Sequence, residues 1–541
     1  MLVLSASACG GSVVERAADK EARPNCADMQ EVQLENAHVD STELVSDGSF
    51  RIEHPAFYEP SSIDDLPAFC RVLGTAAPVD GSEIGFEVWL PVSGWNGKLE
   101  MYGNGGYGSS IAYLPMAEGL RHGYATVGTD TGHKGDDPAF ARGRPESIVD
   151  WGHRAVHTTS LQSKAIVKKF YSRQPEHAYF AGCSTGGHQA LMEAQRYPDD
   201  FDGIIAGDPG NNRTHLNAGF LWQFLRNHEQ TPDATAIIAA DKLALINKAV
   251  LDACRTMNGN RSGGLPSDPF LDDPLACQFD PGTLLCRDHD EMDCLDARQV
   301  KALRSLYDGP RNSRTGERIY FGQTPGSEAA GGPPGLPGWS LYWADPRNPR
   351  QPARASFWQS WVFDDPDWDW WDFDFDADMS VTDDRLADTI NAMDPDLSRF
   401  RAAGGKLIQY HGLSDPVVPV ADSISYYQRV VADVDRVNDF YRLFLVPGLN
   451  HCWGGPGPTI FNMQAVLEAW VERGKIPDRI VAERHTNGDP AAPIEYTRPL
   501  CPYPAYAVYR GVGDKSSADN FECSTELPRP AIPVIGPDYL H

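Results

Sequence analysis

Ser184 lies in Gly182-Cys183-Ser184-Thr185-Gly186, a Gly-x-Ser-x-Gly pentapeptide that breaks a short apolar run and opens a helical pattern. A strand that reverses into a helix within one residue needs small flanking residues, and the reversal pushes the serine hydroxyl out over the sheet edge. Such a hydroxyl attacks an ester poorly unless a histidine takes its proton. That histidine in turn needs a carboxylate to hold its tautomer and stabilise its charged form. Downstream, Asp415 stands in His411-Gly412-Leu413-Ser414-Asp415-Pro416 and His451 in Pro447-Gly448-Leu449-Asn450-His451-Cys452, both where apolar runs end in loops. Singly, Asp-Pro is a common turn and a loop histidine is commonly just solvated. In the order Ser, Asp, His, each after a strand, the three form a candidate catalytic triad.

The neighbouring cysteines add to this. Cys183 directly precedes the serine and Cys452 directly follows the histidine. A bridge between them would hold the hydroxyl and the imidazole within reach and reduce reorganisation before attack; the plainer alternative is two buried thiols. With Cys9 set aside, ten of the eleven cysteines remain, which suggests five disulfides. No Cys-x-x-Cys pair occurs to suggest zinc, and a reducing cytosol would not maintain such bridges, so the chain reads as exported.

The elements that must position these residues alternate. Strands are predicted at 84–90, 98–102, 124–128, 203–206, 406–410 and 441–446, and helices at 147–171, 185–196, 234–254, 421–434 and 461–473. Strands alternating with helices predict the α/β class: a mostly parallel sheet covered on both faces, an α/β-hydrolase core. Gly103-Asn104-Gly105-Gly106-Tyr107-Gly108 fits Gly-x-Gly-x-x-Gly with Asp130 downstream, so a dinucleotide site competes for this loop. Residues 109–115 end in proline instead of opening a clear helix, whereas an oxyanion loop needs only free backbone N–H groups. The predicted organisation is a leader over 1–25, core over 26–210, an inserted lid over 211–393, and core again over 394–541. The lid's later part is dense in tryptophan and aspartate, a stripe that reads as core or domain seam as well as apolar cover.

A net charge of -28, from 75 acidic and 47 basic residues, repels phosphate backbones and anionic membrane surfaces, so nucleic acid is not expected as a partner. No apolar run approaches a membrane span. The small and apolar start reads two ways, as a clipped secretory signal or as a lipoprotein-type site with Cys9 as lipid anchor.

The chain resembles the tannase and feruloyl esterase family of α/β-hydrolases, which includes mono(2-hydroxyethyl) terephthalate hydrolases. The motifs are Gly103 to Gly106, Thr129-Asp130-Thr131-Gly132-His133, Gly182 to Gly187, His411-Gly412-x-x-Asp415, Gly448-x-x-His451-Cys452 and Arg498-Pro499-Leu500-Cys501-Pro502-Tyr503-Pro504. The resemblance implies a triad of Ser184, Asp415 and His451 and an oxyanion hole from the N–H groups of Thr185 and Gly106. It also implies bridges Cys183–Cys452, Cys26–Cys70, Cys254–Cys277, Cys286–Cys294 and Cys501–Cys523. Substrate contacts are expected from His411, Val417, Val418, Trp339 and Trp343. Ala344 follows Trp343, and Arg347, Arg350 and Arg354 are candidates for pairing with a substrate carboxylate. Family lids commonly bind calcium through aspartates after the first lid cysteine. Here Arg255, Asn258 and Ser262 stand in those places, so the ion is expected to be lost, with Arg255 reaching Asp272 or Asp273 in its stead. No cofactor is expected.

The resulting expectation is a secreted serine esterase cleaving small-molecule esters of aromatic carboxylic acids through an acyl-enzyme. The alternatives are an acyltransferase using the same triad and a non-catalytic module holding a phenolic ligand. Oligomeric state is not legible in the sequence.

Overall fold

The computed structural model describes residues 25–53, 60–259 (backbone only for 256–259), 265, 267–287, 293–331 and 338–541. The leader with Cys9, Ser262 and the Asn258 side chain lie outside the described residues.

A nine-stranded sheet organises the chain. In chain order its strands are β1 (Ala37–Val45), β2 (Phe69–Ala76), β3 (Ile84–Pro91), β4 (Lys98–Tyr102), β5 (Ala125–Thr129), β6 (His177–Cys183), β7 (Gly203–Gly207), β8 (Lys406–Gly412) and β9 (Tyr441–Val446). Across the sheet the order is β1-β2-β3-β5-β4-β6-β7-β8-β9. Pairing is antiparallel from β1 through β3 to β5, then parallel from β5 to β9. The central strands β5 and β7 are buried at every position, as a parallel sheet covered on both faces requires. Adjacent residues on β6 serve opposite cores: Phe180 packs with Leu99, Met101 and Ala206, while Tyr179 packs with Ile205, Ile408 and Leu467. Removing one such ring, as in Phe180→Ala, is expected to cost about 3–5 kcal/mol.

Helices α1 (Tyr113–Arg121), α2 (Ala155–Tyr171), α3 (Thr185–Arg196), α4 (Arg213–Asn227), α5 (Lys242–Gly259), α6 (Ala297–Asp308), α7 (Ala377–Ile390), α8 (Val420–Asp433) and α9 (Met463–Arg473) complete the frame. Three sequence expectations shift. The loop after Gly108 does open a helix, α1, because Pro115 falls in its first turn, where a missing N–H costs nothing. The helix expected from Ala234 begins only at Lys242, with Ala234 itself in a turn at φ 43°. The helix expected from Ser147 is interrupted by a π-turn over Asp150–Arg154, which carries Trp151.

Between β7 and β8 the chain leaves the core and returns beside its exit. Ala392 N donates to Asn211 O (2.8 Å), and Thr214 N donates to the Asn391 side chain (3.0 Å). This excursion has an apolar core of its own, in which α5 and α6 pack Ile246, Val250, Leu303 and Leu306 around Trp339 and Trp343. Disulfides join Cys26–Cys70, Cys183–Cys452, Cys254–Cys277, Cys286–Cys294 and Cys501–Cys523. Among the described residues no helix is long and apolar enough to cross a membrane.

Candidate active site

Ser184 sits at the junction of β6 and α3 with φ 61° and ψ −115°, a backbone conformation that non-glycine residues rarely adopt. The tight reversal explains the flanking glycines: a Cβ on Gly182 would stand 2.5 Å from the Gly186 carbonyl, and one on Gly103 would stand 2.5 Å from Gly186 Cα. Only bare backbone lets the glycine loop lie against the elbow.

Asp415 follows β8 and is fully buried. Its Oδ1 accepts the backbone N–H groups of Val417 (2.7 Å) and Val418 (3.0 Å), and its Oδ2 lies 2.7 Å from His451 Nδ1. That pairing puts the proton on Nδ1 and leaves Nε2 as the acceptor. Burial works against the Asp415 charge, but His451 and His411 outweigh it and hold the carboxyl well below its usual range. Burial lowers the His451 pKa, yet the charge and hydrogen bond of Asp415, with Asp208 behind them, raise it above 6.5. The Cys183–Cys452 bridge sets the residues next to Ser184 and His451 at a Cα–Cα distance of 5.8 Å. Ser184 Oγ makes no hydrogen bond among the described residues; contacts of this kind are often long in a free enzyme and tighten with substrate.

Thr185 is the first residue of α3, so its N–H has no intrahelical acceptor. Its Oγ1 donates to Gly106 O (2.7 Å), tying the elbow to the glycine loop, where Gly106 has φ 56°. The loop is braced from below: Asn104 Nδ2 donates to Thr129 O (2.8 Å), and His133 Nε2 lies 2.7 Å from Tyr107 O. Asp130 accepts from Gly85 N and Gly132 N, so it shapes the turn under the loop instead of facing a nucleotide ribose.

Several expected contacts move. His411 is fully buried, with Nδ1 2.7 Å from Ser423 Oγ and Nε2 3.0 Å from Val418 O, so both ring nitrogens are engaged inside the protein and none faces a substrate. Val417 and Val418 are buried and meet Asp415 through their backbone. Trp339 is buried in the excursion's own core, its Nε1 donating to Ser327 Oγ (2.8 Å), and Trp343 belongs to the same core. Arg347 pairs with Asp137 (3.1 Å) and Arg350 with Asp233 (3.3 Å). Arg354 alone of the three reaches the site: its guanidinium stands over the Tyr107 ring (5.2 Å) and within 3.0 Å of where a Gly106 Cβ would be.

Three residues by the site escaped sequence reasoning. Arg213, on α4, is buried, lies over Trp151 (5.0 Å) and hydrogen-bonds Thr185 Oγ1. Trp151 stacks on Tyr107 with centroids 4.8 Å apart. Asp208 is buried beside Asp415 and His451. Only Asp208 carried a signal, its position at the carboxyl end of a parallel strand, where the ligand sites of open α/β sheets gather.

In the described part of the segment expected to have lost calcium, Asp268, Asp272 and Asp273 lie near one another, with arginines as partners. Asp268 lies 3.6 Å from Arg498 and Asp273 lies 3.7 Å from Arg529, while burial pushes Asp272 up to about 8. The counter-charges thus come from the C-terminal part of the chain and not from Arg255, whose Nε is buried without a hydrogen-bond partner.

A parallel sheet carrying a serine at a strand-to-helix elbow, with an acid and a histidine following later strands, defines an α/β-hydrolase. The family model "Tannase and feruloyl esterase" matches residues 70–524, and the chain belongs to that family of carboxylic ester hydrolases. It is 38% identical to an uncharacterized esterase of Xanthomonas campestris, covering 94% of this chain and 92% of the relative. It is 33% identical to the mono(2-hydroxyethyl) terephthalate hydrolase of Piscinibacter sakaiensis, covering 85% of each. Among solved structures, feruloyl esterase B from Aspergillus oryzae superposes with a TM-score of 0.80 at 27% identity, covering 92% of this chain and 100% of that one.

Proposed function

We propose that this chain is an exported serine esterase that cleaves esters of aromatic carboxylic acids through an acyl-enzyme. The observation that carries the reading is the 2.7 Å contact between His451 Nδ1 and Asp415 Oδ2, set beside Ser184 by the Cys183–Cys452 bridge. Ser184 Oγ attacks the ester carbonyl as His451 Nε2 takes its proton, and the N–H groups of Thr185 and Gly106 receive the oxyanion. The imidazolium then gives its proton to the leaving alcohol, and water repeats the sequence to free the acid. Residues 211–393 act as a lid that covers the acyl group. An aromatic acyl group is in keeping with relatives named for feruloyl and terephthalate esters. The disulfides support export.

The test is covalent: a fluorophosphonate probe followed by peptide mass spectrometry is expected to mark Ser184. A native protein that remains unlabelled, or is labelled at another residue, would remove this mechanism.

A further inference from the structure

Asp208 follows β7 in Gly207-Asp208-Pro209-Gly210, fully buried and with φ 35°. Its Oδ1 accepts the N–H of Gly412 (2.7 Å), at the end of the strand that leads into Asp415. Its Oδ2 accepts the N–H of Cys452 (3.2 Å), in the loop that carries His451. The same oxygen lies 3.5 Å from Cys183 Sγ, which has no proton to donate because it is half of a disulfide. Carboxylate oxygens of Asp208 and Asp415 and a ring nitrogen of His451 all lie within 4.8 Å of one another. The other groups facing it are His411, whose Nε2 is 3.8 Å from Oδ1, and Tyr410.

We propose that Asp208 is a positioning residue of the charge relay, a second carboxylate that ties the base's loop to the acid's strand and shares the His451 imidazolium with Asp415. The inference rests on the triad reading above. When the serine proton moves to His451, the ring gains a positive charge that one hydrogen-bonded carboxylate already faces. A second negative charge at this range in a buried site stabilises the same species and favours formation of the tetrahedral intermediate. The same charge also holds the base protonated to higher pH. Burial and the repulsion of Asp415 push Asp208 up to about 7 against the pull of His411 and His451. A charged Asp208 favours the imidazolium and the imidazolium favours a charged Asp208, so the two titrations are linked.

A merely structural acceptor and a charge partner make different predictions for Asp208→Asn. The amide keeps the size but offers one acceptor in place of two, so either Gly412 or Cys452 loses its partner. kcat/KM for 4-nitrophenyl acetate is expected to fall about tenfold to a hundredfold. Loss of the charge is expected to move the acid limb of the pH profile down by about one unit, whereas Asp208→Glu keeps the limb near its native position. An unmoved limb in Asp208→Asn would overturn the shared charge.

If the variants do not fold, the native protein still decides. The downfield Nδ1–H proton resonance of His451 is expected to shift in two steps with pH, and a single step would overturn the proposal. Failure of the native protein to take the fluorophosphonate label would instead sink the triad reading, so the two failures are distinguishable.

Discussion

Each residue of the proposed triad is held by its own local device: Ser184 by a strained elbow, Asp415 by two backbone N–H groups, His451 by a carboxylate on Nδ1. Removing the hydroxyl in Ser184→Ala is expected to lower kcat by about 10⁴-fold or more while leaving the melting temperature near native, measured by steady-state kinetics and calorimetry. The pH profile follows from the same contacts. His451 must be neutral to accept a proton and its pKa is raised above 6.5, so kcat/KM should climb through a limb above that value and be lost below it. Activity already at its plateau at about pH 6 would contradict this. The elbow at Ser184 and the pairing of Asp415 with His451 were legible because each residue ends a strand-like run in a spacing tied to chemistry. His411 sits in the same motif as Asp415, but a sequence does not say whether a ring faces inward or toward a substrate. Asp208 was hidden because Gly-Asp-Pro-Gly reads as an ordinary turn.

The elements bring together what the chain separates by hundreds of residues. β6 and the loop after β9 are joined by a disulfide that closes 269 residues of sequence. Replacing both Cys183 and Cys452 by alanine is expected to cost about 5–6 kcal/mol of stability in a chain-entropy account, read by denaturant unfolding. It should also lower kcat more than it raises KM, because the lost contact sets nucleophile against base. Equal kcat in native and variant protein would separate the bridge from catalysis. Strand and helix periodicity placed most of the core elements to within a few residues. It failed at α1, where Pro115 looked like a stop but occupies a first turn, and at Trp339 and Trp343, where an aromatic stripe serves a local core.

At the scale of the whole molecule, the two ends of the excursion between β7 and β8 are pinned to each other and to the C-terminal tail. Asp383 on α7 lies 3.0 Å from His215 on α4 and 3.4 Å from His541. Burial opposes the Asp383 charge, but His215, His541 and Thr214 hold its carboxyl well below 3.8. A carboxyl depressed on folding stabilises above its unfolded value and loses that contribution as pH falls through the folded one. Asp383→Asn should therefore lower the melting temperature at pH 7, with the gap to native closing in strong acid. A gap independent of pH would point to packing alone. None of these partners shares a motif, and contacts 150 or more residues apart leave no trace in local spacing.

The most direct measurement is a hydrolysis panel of methyl ferulate, methyl gallate, a hydroxyethyl terephthalate ester and 4-nitrophenyl acetate, run on native protein and Ser184→Ala. The account predicts turnover of at least one aromatic ester that disappears with the serine hydroxyl; turnover that survives in Ser184→Ala would contradict it.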